Sequence, residues 1–181
     1  IRYHCVTGVQ TCALPISERL GLVGASAGGH LSLLTMVSMQ AAQPDAEDPL
    51  MRYDTSVKAV GVFFPPTDFL QWNDGPISYE RQPDLMFSGG LEGKSREEQD
   101  KRAEELSPVR RIHGKTPPVF IVHGDEDPIV PLQQSLSLRD RLHEVGADVT
   151  LEIKEGGGHF WLTIYREIIM AADWLDQKLR E

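Results

Sequence analysis

One serine near the amino end of the chain stands in a run of small residues, GASAG at positions 24–28. The run follows an apolar stretch at 20–23 and precedes a mostly apolar stretch at 30–39, which predict a buried strand and a buried helix. Small neighbours let a serine side chain project from a tight strand-to-helix turn while strand and helix pack closely. The start of a helix favours negative charge, so the backbone N–H of Ala27 is a candidate donor to an oxyanion. We therefore predict Ser26 as a nucleophile; the alternative interpretation is a plain glycine-rich turn.

A histidine follows three glycines in the segment GGGH at 156–159, just after an apolar stretch at 149–153. A histidine with an unperturbed pKa of ~6.5 can take and return a proton, and a loop after a strand lets it reach a nucleophile. His159 is therefore a candidate general base, with a solvated surface histidine as the alternative interpretation. Of the other histidines, we predict two to be packed and two to be solvated, namely His30 and His123, and His113 and His143.

A family resemblance is carried by the heptapeptide GASAGGH at 24–30. It resembles the nucleophile turn of α/β-hydrolase esterases of the hormone-sensitive-lipase and acetyl-esterase kind, and the likeness extends over residues 17–181. The resemblance implies an α/β fold of which this chain holds the C-terminal part, and a Ser-Asp-His triad that uses Ser26 and His159.

The acid of that triad is implied by the segment HGDEDPIVP at 123–131, which begins where an apolar strand ends and resembles the acid loop of the same fold. On this resemblance Asp127 orients the histidine, and the chain order of serine, aspartate and histidine is the one these hydrolases use. Two alternatives stay open. Asp125 and Asp127 are also typical turn residues and helix caps. Asp68 stands where some relatives place the acid, although an isolated aspartate there is more often a cap.

The triad implies a two-step acyl transfer through an acyl-enzyme. The segment FFPPTD at 63–68 resembles acetyl-esterase-like members, which favours carboxylic esters with small or carbohydrate-linked acyl groups as substrates. A serine peptidase of the prolyl-oligopeptidase kind and a non-catalytic fragment remain as alternatives. Relatives take a second oxyanion donor from a His-Gly-Gly loop after an earlier strand, and this sequence contains no such loop. We therefore expect weak turnover from this chain by itself.

The elements that must position these residues alternate along the chain. Further apolar stretches at 57–64 and 119–122 predict strands, and the segments at 95–106 and 131–145 predict helices. A last helix is predicted from apolar residues at four- and three-residue spacings, namely Phe160, Ile164, Ile168, Ala172, Leu175 and Leu179. Strands that alternate with helices predict an α/β domain with a mostly parallel sheet covered on both faces. We interpret residues 67–95 as an irregular insertion at one end of the sheet.

The first residues are interpreted separately. Residues 6–16, VTGVQTCALPI, resemble the in-frame translation of a common short-read sequencing adapter. We therefore predict a non-native segment at 1–16 and a partial α/β-hydrolase domain, truncated at its amino end, at 17–181. Both cysteines of the chain lie in the first segment, so neither a disulfide nor thiolate chemistry is expected. The compartment stays open between cytoplasmic and secreted.

The composition of the chain limits the classes of binding partner that are expected. The formal net charge of -9, with 18 basic and 27 acidic residues, is not that of a nucleic-acid-binding protein. No apolar stretch approaches the ~20 residues that a membrane-spanning helix needs. No histidine pair at ligand spacing indicates a metal site, and no lysine-bearing glycine loop indicates a phosphate site. We expect no cofactor and a small-molecule or carbohydrate ester as the binding partner.

Overall fold

The fold is built on a parallel sheet whose strands lie in chain order. A computed structural model of the protein describes residues 19–72 and 92–181. Within them four strands pair in parallel in the order β1-β2-β3-β4, namely β1 Gly21–Ala25, β2 Ala59–Phe63, β3 Val119–Gly124 and β4 Val149–Lys154. The helices are α1 Ala27–Val37, α2 Arg96–Glu105, α3 Pro108–Arg111, α4 Gln133–Glu144 and α5 Tyr165–Arg180, and a 3₁₀ turn spans Pro49–Arg52. The predicted α/β class is confirmed.

The predicted elements occur where the apolar stretches stand, with shifted ends. β1 begins at Gly21 and continues through Ala25, because its ladder with β2 runs on as far as Phe63. The charged helix α2 begins at a capping box, in which Ser95 accepts from the Glu98 backbone N–H and the Glu98 carboxylate accepts from the Ser95 N–H. Most of the predicted insertion at 67–95 lies outside the described residues.

Alternation along the strands divides the core between the two faces of the sheet. One face packs against α1 and α4 through a cluster that includes Leu33, Met36, Val60, Val62, Val119, Ile121, Leu138 and Leu142. The other face packs against α5 and the segment before it through Phe63, Phe64, Phe120, Val122, Trp161, Ile164 and Ala171. Both faces of β2 and β3 are buried, as in parallel sheets covered by helices on each side.

The predicted apolar face of the last helix is wrong in part. Phe160 is exposed and precedes the helix, which begins only at Tyr165 after a turn at 162–164. Ile168 is 50% exposed, whereas Ala171 and Leu175 are buried on the helix. Leu175 lies above Gly21 and Gly61, so this line of α5 is the one that meets the sheet. The spacing counted from Phe160 therefore predicted an apolar face that is broader than the face the helix buries against the sheet.

Candidate active site

Ser26 lies in the turn between β1 and α1. Its φ of 52° is in the left-handed region, its N–H donates to the Phe63 carbonyl at 2.8 Å, and its own carbonyl accepts from the His30 N–H at 3.0 Å. Glycine is required at Gly24, because a Cβ there would strike the backbone of Gly28 and Gly29. These hydrogen bonds and this close approach hold the serine at the carboxyl end of the sheet.

The requirement for small residues around Ser26 differs from the prediction in one respect. A Cβ added at Gly28 would meet nothing within 4 Å. A Cβ at Gly29 would lie 3.1 Å from the Gly24 carbonyl oxygen and 3.2 Å from the Cβ of Pro65. The start of the helix therefore approaches Gly24 with the backbone of Gly28 and Gly29, but a Cβ at Gly28 itself would point into open space.

The structure brings the three predicted residues together. His159 Nε2 lies 3.0 Å from Ser26 Oγ, and His159 Nδ1 lies 2.7 Å from Asp127 Oδ2. A carboxylate only accepts hydrogen bonds, so Nδ1 carries the proton and Nε2 is free to accept from the serine hydroxyl. The Asp127 side chain is 0% exposed and the His159 side chain 20%. The His159 imidazole is thus held at a buried carboxylate by one nitrogen while its other nitrogen faces the serine hydroxyl.

Asp127 uses its two carboxylate oxygens for different purposes. Oδ1 accepts from the backbone N–H groups of Ile129 at 2.8 Å and Val130 at 3.0 Å, while Oδ2 accepts from His159. The turn-residue interpretation of this aspartate is therefore compatible with its hydrogen bond to His159. With these three donors, the buried charge is well supplied with hydrogen bonds.

Glycines bring the acid loop and the histidine loop together at the ends of β3 and β4. A Cβ at Gly124 would strike the backbone of Gly157 and Gly158. The Gly157 carbonyl accepts from the Glu126 N–H at 2.9 Å, so the two loops are joined backbone to backbone. This close approach is a tertiary reason for glycine at Gly124 and at Gly157, where an added Cβ would lie 3.0 Å from the Gly124 Cα, but not at Gly158, where it would meet only the Phe160 carbonyl at 3.8 Å.

His123 is fully buried behind the acid, which confirms that it is packed. Its Nε2 donates to the Val130 carbonyl at 2.8 Å, since a carbonyl can only accept, and its Nδ1 accepts from the Ser135 hydroxyl at 2.6 Å. Nε2 also lies 3.5 Å from Asp127 Oδ2. Burial lowers the pKa of His123, against the opposing effects of the Val130 carbonyl and the Asp127 charge. His123 is a neutral neighbour of the acid.

Asp68, the alternative acid, is bound by another group. Its two oxygens each lie 2.9 Å from the Arg110 guanidinium, and Oδ1 also accepts from the Leu70 N–H at 2.9 Å. Asp68 does not cap a helix as expected: its Oδ1 accepts from the N–H of Leu70 two residues on, which closes an Asx turn, and the described residues 69–72 contain no helix. Its ion pair with Arg110 has no signal in the sequence, because the two residues are 42 positions apart.

Ala27 is the first residue of α1 and is exposed, so its N–H is among the amides at the helix start that have no acceptor within the helix. His30 is half-buried, its Nδ1 lies 3.2 Å from the Pro66 carbonyl oxygen, and burial lowers its pKa. His113 and His143 are exposed, as expected. The Phe64 ring contacts His159, at 4.5 Å between ring centroids, and no sequence pattern predicts this contact.

In residues 19–72 and 92–181 no three His, Cys, Asp or Glu side chains are grouped so that they could hold a metal ion. Among the helices of this same part of the chain, none is both long and apolar enough to span a bilayer.

Known proteins resemble this chain in sequence. The model of the BD-FAE family matches residues 15–142, which include Ser26 and Asp127 but not His159. Esterase LipC of Mycobacterium tuberculosis is 29% identical over 142 residues, which cover 77% of this chain and 34% of LipC. Esterase LipQ of the same organism is 30% identical over 131 residues, covering 70% of this chain and 28% of LipQ. The chain thus spans about a third of the length of the curated relatives it matches.

Solved structures share the fold. A truncated form of a carbohydrate esterase from gut microbiota has a TM-score of 0.71 and 25% identity, covering 89% of this chain and 60% of that one. An acetyl ester-xyloside bifunctional hydrolase from Caldicellulosiruptor lactoaceticus has a TM-score of 0.67 and 23% identity, covering 90% of this chain and 55% of that one. The family match extends over most of the chain, the fold is that of α/β-hydrolase esterases, and the chain belongs to the BD-FAE family.

Proposed function

We propose that this chain is a serine hydrolase that cleaves carboxylic esters through an acyl-enzyme. The observation that carries the proposal is the His159 imidazole between Ser26 Oγ at 3.0 Å and Asp127 Oδ2 at 2.7 Å. Both distances are within hydrogen-bond reach, as proton transfer from a serine nucleophile requires. The names of the esterase relatives support the same reaction.

The proposed reaction has two half-reactions. In the first, His159 Nε2 takes the Ser26 proton as Oγ attacks the ester carbonyl, and the imidazolium then gives that proton to the leaving alcohol as the C–O bond breaks. In the second, Nε2 takes a proton from water as its oxygen attacks the acyl carbon, and returns it to Oγ as the acid leaves. The developing oxyanion accepts from the Ala27 N–H at the start of α1.

Asp127 acts through His159 in this proposal. Its buried carboxylate holds the proton on Nδ1 and stabilises the imidazolium that forms in each half-reaction. The hydrogen bonds from Ile129 and Val130 to its other oxygen fix the orientation of the carboxylate. Asp68 is not needed as the acid, because Arg110 already neutralises it.

The proposed substrates are esters with small acyl groups, including acyl groups linked to carbohydrate. Support comes from the segment at 63–68 and from similar proteins that are named a carbohydrate esterase and an acetyl ester-xyloside hydrolase. We further assign residues 17–181 to the hydrolase domain and residues 1–16 to a segment outside it; the family match begins at residue 15.

The test is covalent labelling with a fluorophosphonate probe, together with hydrolysis of p-nitrophenyl acetate. Labelling needs only an activated serine, so it also reports on a chain with weak turnover. Ser26→Ala is expected to abolish both signals. The matched control is Ser32→Ala, which removes an exposed hydroxyl of α1 that bonds the Gly28 carbonyl and is expected to leave both signals unchanged. Labelling that persists in Ser26→Ala would refute the proposal.

A further inference from the structure

Phe64 has an unusual backbone conformation directly beside the triad. Its φ is 40°, and among the described residues the only other non-glycine residue with positive φ is Ser26. Ala25 of β1 pairs with Phe63 of β2, so Ser26 and Phe64 are the next residues along two neighbouring strands. Positive φ is costly for a bulky side chain and persists where the surrounding structure holds it.

The surroundings of Phe64 hold both its backbone and its ring. Its N–H donates to the Val122 carbonyl of β3 at 2.7 Å, which fixes the peptide at the strand end. The residue is only 5% exposed. Its ring centroid lies 6.0 Å from that of Trp161 and 6.5 Å from that of His123, in each case in an edge-to-face arrangement.

The ring so held contacts the imidazole of His159. The centroids are 4.5 Å apart and the ring planes are inclined by 53°. This separation is inside the roughly 6 Å over which the face of an aromatic ring attracts a cation. In the proposed reaction the imidazole becomes an imidazolium in each half-reaction, so an aromatic neighbour favours the charged form that the transition state needs.

We propose that Phe64 is a positioning residue for His159: its strained backbone holds an aromatic ring against the imidazole, which keeps Nε2 directed at Ser26 and stabilises the imidazolium. The inference rests on the proposed function, because it needs His159 to act as the base. The charged or titratable groups connected to this ring pair include Asp127 of the acid loop, His123 of β3 and, through the Trp161 indole, Glu167 of α5 with its ion-pair partner Lys154 of β4.

The test compares Phe64→Leu with Phe63→Leu. Both changes remove a buried aromatic ring from the same cluster, but the Phe63 ring contacts that of Phe64 at 6.4 Å and is not in ring contact with His159. The rate constant for fluorophosphonate labelling is measured against pH. Phe64→Leu is expected to slow labelling at neutral pH about two- to five-fold and to move the midpoint of the acidic limb to lower pH, because the imidazolium loses its aromatic neighbour. Phe63→Leu is expected to leave the midpoint unchanged.

An unmoved midpoint in Phe64→Leu, or an equal movement in Phe63→Leu, would overturn the proposal, since a purely structural role lowers activity without moving the limb.

If Phe64→Leu does not fold, proton–carbon NMR of the histidine Cε1–H groups in the unsubstituted chain replaces it. The His159 signal, assigned by its loss in His159→Gln, is expected to be displaced by the ring current of Phe64 from the signals of the exposed His113 and His143. A His159 signal at their position overturns the contact. Labelling that survives Ser26→Ala would instead refute the proposed function.

Discussion

At the scale of single residues, Asp127 shows how one side chain serves two structural demands. Its Oδ1 closes the turn through Ile129 and Val130, and its Oδ2 accepts from His159. An amide at this position can still accept with its oxygen, but its nitrogen cannot accept from the imidazole N–H. A substitution by asparagine therefore removes the acceptor for the His159 N–H and keeps the hydrogen bonds that close the turn.

We predict that Asp127→Asn slows fluorophosphonate labelling by about 10³–10⁴-fold, because His159 loses the acceptor that selects its tautomer. Asp125→Asn is the matched control, since Asp125 is exposed in the same loop and is expected to change the rate little. Asp68→Asn is expected to affect stability through the loss of the Arg110 ion pair, and to slow labelling far less than Asp127→Asn. A larger loss of labelling in Asp68→Asn would make Asp68 the acid.

At the scale of elements, the site depends on places where backbones approach each other. β1 meets α1 at Gly24, and the loop after β3 meets the loop after β4 at Gly124. In both places a methyl group would strike backbone rather than a side chain that can move aside. The glycines of the Ser26 turn are therefore not equivalent, although the sequence pattern treats them alike.

We predict that Gly24→Ala costs about 2–4 kcal/mol of unfolding free energy, as overpacking against fixed backbone does. Gly28→Ala is the matched control in the same motif, because a Cβ at this position of α1 has open space around it. Alanine is also the better helix former, so Gly28→Ala is expected to raise the unfolding free energy by about 0–1 kcal/mol. Urea unfolding of both variants measures the difference. Equal destabilisation by the two substitutions would show that the close approach at Gly24 is not what selects glycine there.

At the scale of the whole molecule, two histidines make folding depend on pH. Burial lowers the pKa of His30 and of His123 below the usual 6.5. Between that value and the lower folded-state values, the unfolded chain binds more protons than the folded chain. The unfolding free energy therefore rises with pH in this window. The contribution of these two histidines is fully present above about pH 6.5 and is lost as the pH falls through their folded-state pKa values.

We predict a lower unfolding free energy at about pH 5.5 than at about pH 7.5, measured by urea unfolding. His30→Gln is expected to reduce the difference, because it removes one of the two groups from the linkage. His143→Gln, at an exposed position, is the control and is expected to preserve it. Greater stability at the lower pH would contradict the assignment of these two histidines.

The proposed division of the chain at residue 16 is also tested on the whole molecule. We predict that removing residues 1–16 leaves the thermal unfolding midpoint and the rate of fluorophosphonate labelling unchanged, because a segment not selected with this fold has no reason to match its packing. Scanning calorimetry and the labelling assay measure the two quantities. A midpoint lowered by several degrees would show that the segment contributes to the fold.

Local sequence patterns determined the parallel α/β class, the four described strands and the candidates Ser26 and His159, because apolar periodicity and turn residues act over short stretches of chain. Asp127 was predicted only through the resemblance of its segment to the acid loop of α/β-hydrolases, with Asp68 left open as the alternative. Contacts between distant segments depend on how those stretches pack, so only the tertiary structure decided them. It placed Asp127 rather than Asp68 on His159, since Arg110 holds Asp68. The tertiary structure also brings the Phe64 ring into contact with the His159 imidazole, and it determines which side chains of α5 are buried against the sheet. None of these pairings leaves a periodic or spacing signal in the sequence, because each joins residues from different elements.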